Sequence, residues 1–273
     1  MSSTSSWSKS SDIDPEKTKK MVEYIEKRSQ YPDQKQVNHA LKEILSPKAG
    51  ERLLDAGCGG GVLSRLVAPN LAPGGYITGI DIFPEIIKLA SEYARRENLT
   101  SLIRFEMGDA ENLSYTDGYF DGAFAARLLL HVNNPQEVVR ELTRVVRPGG
   151  RVVLMDWDFE TLVVDHSNRE ITRRILHWRT DHKDGNNWSG RQLFRLLRVQ
   201  GLTKVAVHTV VTVATDENSS LTQSLWHGAS GALDQGIITE KEYKTWMSEL
   251  KARLRDRQFF ASIVYFIVRG KRP

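Results

Sequence analysis

Asp55-Ala56-Gly57-Cys58-Gly59-Gly60-Gly61 is the stretch on which the fold of this chain turns. Before it, Arg52-Leu53-Leu54-Asp55-Ala56 reads as a short strand running into Gly57. After it, Val62, Leu63, Leu66 and Val67 recur at helical spacing. At such a strand-to-helix junction the backbone turns sharply, and glycines leave bare main chain for a ligand to approach. A second strand is expected over 76–81 and ends in Asp81, 20 residues past Gly61. The loop thus sits in the first unit of a βαβ pattern.

Working outward, Pro84 opens a helix expected through about 98, and a third strand falls over 102–106. A fourth strand covers 119–125, a helix 135–147, a Pro148-Gly149-Gly150 turn and a fifth strand 151–157. Strands alternating with helices at this spacing give a mostly parallel sheet covered on both faces. Further on, helices are expected over 167–182 and 189–200, and strands over 205–214 and 259–268. The two late strands would pair antiparallel at one sheet edge and enclose a helical insertion, 217–256, whose Thr239 and Glu242 form a capping box. Upstream, Asp14-Pro15 starts a helix carrying Met21, Tyr24, Ile25 and Arg28 at helical spacing; Val37, Ala40, Leu41, Ile44 and Leu45 mark a second. The expected architecture is a doubly wound, Rossmann-like α/β sheet of seven strands with helices on both faces. Residues 14–273 make one domain, with a helical cap (14–48) and a helical lid (217–256). Residues 1–13, with seven serines, read as a disordered tail.

The loop chemistry narrows the ligand. A carboxylate at Asp81, ending the second strand, suits two ribose hydroxyls. A dinucleotide fingerprint beginning at Gly57 and Gly59 would place Gly or Ala at position 62, where this chain has Val62. Asp55, two residues before the first glycine, would repel a pyrophosphate. A ligand with a ribose, an ammonium group and no phosphate fits better, and S-adenosylmethionine (SAM) has that chemistry. The alternative is a glycine turn serving only helix–strand packing.

Five segments occur in order: the glycine loop, Gly79-Ile80-Asp81, Gly108-Asp109-Ala110-Glu111, Phe120-Asp121 and Arg147-Pro148-Gly149-Gly150. Over residues 35–160 the chain resembles the class I SAM-dependent methyltransferases, in particular the branch of ubiquinone and menaquinone biosynthesis. The resemblance implies that Asp55, Gly57, Gly59 and Gly61 surround the methionine portion of the cofactor. It implies that Asp81, with Ile82, holds the ribose side, and that Asp109 with Ala110 meets the adenine. Arg127 falls where the family approaches the methionine end. Where the quinone-type enzymes often carry paired histidines, this chain reads Leu128-Leu129-Leu130-His131-Val132. The single His131 is the candidate base, or else a residue that caps and packs the next helix.

Methyl transfer from a sulfonium asks the protein to align an acceptor and exclude water, with a base for some acceptors and no obligatory metal. Ligands of open α/β sheets sit beyond the carboxyl ends of the strands, which singles out Arg127, His131, Asp156, Trp157 and Asp158. Asp156 and Asp158 flank Trp157 and so share the face opposite to it. Arg169, Arg173 and Arg174, then Arg191, Arg195 and Arg198, either clamp an anion or form solvated helix faces. Trp226, Tyr243, Trp246 and Met247 either wall an acceptor pocket or pack the insertion onto the body.

Composition agrees. The 273 residues are 40% hydrophobic and 26% charged, a globular balance. The lone Cys58 excludes an internal disulfide and a multi-thiolate zinc site. A net charge of +4 with interspersed signs does not mark a nucleic-acid binder. No apolar run approaches the length of a membrane span and the N-terminus lacks a signal-peptide core, so a cytoplasmic protein is expected. The expected function is SAM-dependent methylation of a small organic acceptor. The rivals are methylation of nucleic acid or protein, and a SAM-binding protein that does not methylate.

Overall fold

The computed structural model describes residues 15–182 and 185–273. The expected tail at 1–13 lies outside them. Seven strands form one sheet in the order β3-β2-β1-β4-β5-β7-β6. These are β1 (Arg52–Ala56), β2 (Tyr76–Asp81), β3 (Ile103–Met107), β4 (Phe120–Ala126), β5 (Val146–Val164), β6 (Thr203–Ala214) and β7 (Ala261–Lys271). The first five pair in parallel. β7 inserts between β5 and β6, antiparallel to both. The expected seven-stranded α/β sheet is the one observed, antiparallel edge included.

Alternation along each strand feeds two apolar layers. Leu53, Ile77, Phe124 and Val153 pack on one side with α2 (Pro32–Leu45) and α3 (Val62–Val67). Leu54, Ile80, Ala123 and Val152 pack on the other with α5 (Pro135–Val145) and α7 (Ser189–Val199). A one-residue slip would exchange the two sets, so register is fixed by burial on both faces. Helix starts follow the sequence signals. Pro32, Pro84 and Pro135 occupy first-turn positions of α2, α4 (Pro84–Arg96) and α5. The Asn134 side chain caps α5 by accepting from the Glu137 N–H at 3.2 Å.

The expected bounds of β5 are corrected at both ends. β5 does not begin after the Pro148-Gly149-Gly150 turn; Val146 already pairs with Phe120, and the turn is an irregularity within the strand. Nor does β5 stop at Trp157, because the long partner β7 carries its pairing to Val164 past a register shift after Asp158. The helical insertion folds as α8 (Ser220–Asp234) and α9 (Glu240–Arg255). Leu225, Ala229, Trp246 and Leu250 enter the same core as Leu53 and Phe124. The Trp246 indole donates to Thr172 Oγ1 at 3.0 Å and stacks on His166 at 5.4 Å. Trp226 packs toward Phe259. The insertion's aromatic side chains therefore face the body, where burial of each contributes about 1.5–3 kcal/mol.

Candidate functional site

A cavity of about 440 Å³ opens beyond the carboxyl ends of β1, β2, β4 and β5. At one end stands the glycine loop. Gly57, Gly59 and Gly61 have φ of 70°, 51° and 79°, a region that side chains with a Cβ rarely enter. At Gly57 a Cβ would stand 2.7 Å from Leu128 Cδ1, so the close turn and the bare backbone have one cause. The Cys58 N–H donates to the Ile80 carbonyl at 2.9 Å, tying the loop to β2.

A buried carboxylate, Asp55, and a half-buried one, Asp81, face this loop. Asp55 accepts from Ser64 Oγ at 2.6 Å, and burial pushes its carboxyl up to about 7. Asp81 accepts from the Gly59 N–H at 3.1 Å and the Phe83 N–H at 3.3 Å, and burial pushes it up to about 6. Burial and the two carboxylates raise the Cys58 thiol well above its ordinary range, which removes it as a thiolate nucleophile near neutral pH. Asp109 accepts from the Glu111 N–H at 2.9 Å. Beside it Ala110 is buried, while Ile82 is 37% exposed and lines the cavity. That leaves an acceptor carboxylate and an open apolar side chain near each other, the pair a flat purine needs.

Arg127 ends β4 with φ 58°, held there by its N–H donating to the Met155 carbonyl at 2.7 Å. Its guanidinium lines the cavity and donates to Asn38 Oδ1 at 3.3 Å. Burial, with Arg28 nearby, pulls it down to about 10. His131 also lines the cavity, and its N–H donates to the Leu128 carbonyl at 2.8 Å.

Of the loop positions expected to contact the cofactor, Gly61 alone stands outside the cavity lining. A Cβ there would run into the Phe105 ring, so it serves helix–strand packing. Asp156 and Asp158 do share the face opposite Trp157, and the cavity lies on the Trp157 side. Asp158 pairs with Arg191, its Oδ1 accepting from Nη2 at 2.9 Å. Of the two arginine runs, Arg191 is thereby engaged, and Arg174 pairs with Glu242. Asp156 is buried without such a cation, and burial raises its carboxyl to about 7.

The other end of the cavity was less visible in the sequence. Trp157, Phe159 and Tyr265 form its wall, with ring centroids 5.3 Å apart for Trp157–Phe159 and 5.8 Å for Trp157–Tyr265. α1 (Pro15–Ser29) lays Tyr24 and Arg28 over it, and α6 (Arg169–His182) supplies Arg179. The first turns of α8 contribute Ser220, Leu221 and Ser224. Asp33 of α2 fixes that helix start: it accepts from Ser220 Oγ at 2.7 Å, Ser219 Oγ at 3.0 Å, and the Ser220 and Leu221 N–H groups. A signal for the missed arginines existed. Arg28 continues the stripe Met21, Tyr24, Ile25, and Arg179 continues Ile171, Ile175, so each puts a charge on a core-facing line.

Residues 54–154 match the methyltransferase domain family. The chain is 29% identical over 248 residues to an uncharacterized 37.1 kDa protein in a transposon of Streptomyces fradiae, covering 90% of this chain and 70% of that one. It is 37% identical over 118 residues to the 27-O-demethylrifamycin SV methyltransferase of Amycolatopsis mediterranei, covering 43% and 42%. Apart from the transposon protein, its alignments span about two fifths of the length of the curated relatives it matches. Among solved structures it resembles the [4+2]-cyclase SpnF with a TM-score of 0.55 at 22% identity, over 87% of this chain and 81% of that one, a likeness of fold. Over residues 54–154 the chain carries a methyltransferase domain.

Proposed function

We propose that this protein transfers the methyl group of SAM to a small organic acceptor. The observation that carries the reading is a single cavity with two chemically different ends. One end offers bare glycine backbone and the carboxylates Asp55 and Asp81, neither in a salt bridge among the described residues. The other is walled by Trp157, Phe159 and Tyr265.

The residues fit the cofactor group by group. Asp81 takes the ribose hydroxyls through the lone pairs its two backbone bonds leave free. Asp109 accepts from the adenine amine, and Ala110 and Ile82 give its ring an apolar bed. Asp55 answers the ammonium and Arg127 the carboxylate of the methionine end, with Gly57 and Gly59 allowing close approach. When bound, SAM supplies a methyl group on an already activated leaving group. The protein's share is alignment and exclusion of water. Tyr24 and Arg28 from α1 and Ser220 and Leu221 from α8 cover the acceptor end. His131, which lines the cavity, is our candidate to receive a proton from an acceptor that must lose one.

Titration calorimetry tests the reading. SAM and S-adenosylhomocysteine should bind and NAD should not, because Val62 and Asp55 oppose a pyrophosphate. Formation of S-adenosylhomocysteine should then follow addition of small organic acceptors. Tight NAD binding without SAM binding would overturn it.

A further inference from the structure

Arg28 and Arg179 flank one aromatic wall. The Arg28 guanidinium lies 5.5 Å from the Trp157 ring centroid, and that of Arg179 lies 4.3 Å from the Phe159 centroid. The two rings meet edge to face. Arg179 is 3% exposed, and its fork is fixed by donation to the Ser224 carbonyl and hydroxyl. Among the described residues no carboxylate forms a salt bridge with it, and the hydroxyls of Tyr24 and Tyr265 lie within electrostatic reach. The carboxylate nearest this end of the cavity, Asp33, is occupied by the start of α8.

Two buried polar atoms of this wall have no hydrogen-bond partner among the described residues: Arg179 Nε and Trp157 Nε1. Both are donors. A buried cation without a counter-ion costs several kcal/mol, and an unmet buried donor about 1–3 kcal/mol. Such costs persist where a ligand removes them. A ligand that meets both donors is rich in acceptors and negative, and one that fits this wall is flat enough to lie against Trp157 and Phe159.

We propose that the acceptor pocket takes a planar organic acid, its carboxylate received by Arg179 and Arg28 and its conjugated frame lying against Trp157 and Phe159. This specifies the substrate class of the methyl-acceptor end and rests on the reading of that end given above. Guanidinium and carboxylate match as a fork, so the charge also orients the frame relative to the cofactor end. Arg127 lies within electrostatic reach of Arg28 and Tyr265 as well as Asp55, and the reading above assigns it to the methionine carboxylate of the cofactor.

A matched pair of probes tests the charge alone: 2-naphthoate and the neutral, nearly isosteric 2-naphthamide. Each is titrated by calorimetry into the full chain saturated with S-adenosylhomocysteine. 2-Naphthoate should bind at least about tenfold tighter than the amide. Arg179→Met and Arg28→Gln should each remove most of that difference, leaving the affinity for the amide and for S-adenosylhomocysteine unchanged. If Arg179→Met does not fold, Arg28→Gln, at a half-buried helix position, decides the matter. Equal affinities for the two probes, no binding of 2-naphthoate, or variants that bind it as the wild type does would overturn the proposal. The S-adenosylhomocysteine titration reports separately: its failure overturns the methyltransferase reading, and the probe pair is then compared on the free protein.

Discussion

The Asp81 carboxylate accepts from the Gly59 backbone N–H at 3.1 Å, so the end of β2 holds the glycine loop before any ligand arrives. The same carboxylate accepts from the Phe83 N–H at 3.3 Å. In the proposed reading Asp81 has two tasks, shaping the loop and receiving ribose. Asp81→Ala abolishes both, and each lost bond to a charged group costs about 1.5–3 kcal/mol. SAM affinity should fall by about tenfold or more. Asp81→Asn keeps one acceptor and should fall less. Calorimetry on the two folded variants gives the ranking, and an unchanged affinity in Asp81→Ala would remove the residue from the site.

The raised carboxyls make cofactor binding depend on pH. Burial sets Asp55 to about 7 and Asp81 to about 6 in the free protein. The ionised forms accept ribose hydroxyls and pair with an ammonium, so below these values a proton must leave before the ligand binds. Affinity should rise with pH from 5.5 to 7.5, by about tenfold or more since each unit below a pKa costs a factor of ten in the ionised form. Asp55→Asn should bind more weakly at pH 7.5 and show a flatter profile between 6.5 and 7.5. A wild-type affinity that is constant over this range would contradict the assignment of both carboxylates.

Much of the cofactor end was legible in the sequence because it is local. The loop, Asp81 and Asp109 each lie at the end of a strand, and a parallel sheet places strand ends side by side. The acceptor end is built from α1, α6, α8 and β7, segments far apart in sequence, so no local pattern announced it. Arg28 stood out only as a charge continuing the half-exposed stripe of Met21, Tyr24 and Ile25, and Arg179 as one continuing the buried stripe of Ile171 and Ile175. Gly61 has a packing reason that its sequence position did not show. Its φ of 79° is real, but the space a Cβ would need belongs to Phe105, which comes from β3. Likewise the apolar content of Trp226 and Trp246 could be read in the sequence, whereas the surface they cover could not.

Phe105 lies against two glycines at once, since Cβ atoms at Gly61 and Gly79 would both collide with its ring. Gly61→Ala should therefore destabilise the protein by about 1–3 kcal/mol, through overpacking and the left-handed backbone. Phe105→Leu in the Gly61→Ala background should recover part of the loss by vacating space. Urea denaturation of the two single variants and the double variant gives the coupling. Strictly additive losses would mean that the glycine is required for its backbone conformation alone.

Asp156 and Asp158 lie two residues apart on one face of β5, both 1% exposed, yet only Asp158 has an arginine beside it. Burial raises the Asp156 carboxyl from the ordinary 3.8 to about 7, against the opposing pull of Ser189 and Arg127. Between these two values the folded protein holds a proton that the unfolded chain has released. Folding stability from this group is therefore fully present below about pH 4 and is lost as pH rises through about 7. Asp156→Asn keeps the shape of the side chain and never ionises. It should raise the melting temperature of the free protein by at least about 2 °C at pH 8, the shift expected for roughly 1 kcal/mol in a chain of this size. At pH 5, where the carboxyl is protonated in the fold and ionised in the unfolded chain, the gain should be smaller than at pH 8, and it should approach zero only near pH 4. Thermal denaturation of both proteins at the two pH values checks this. An equal gain at pH 5 and pH 8 would mean that packing, and not the buried charge, sets the cost at this position.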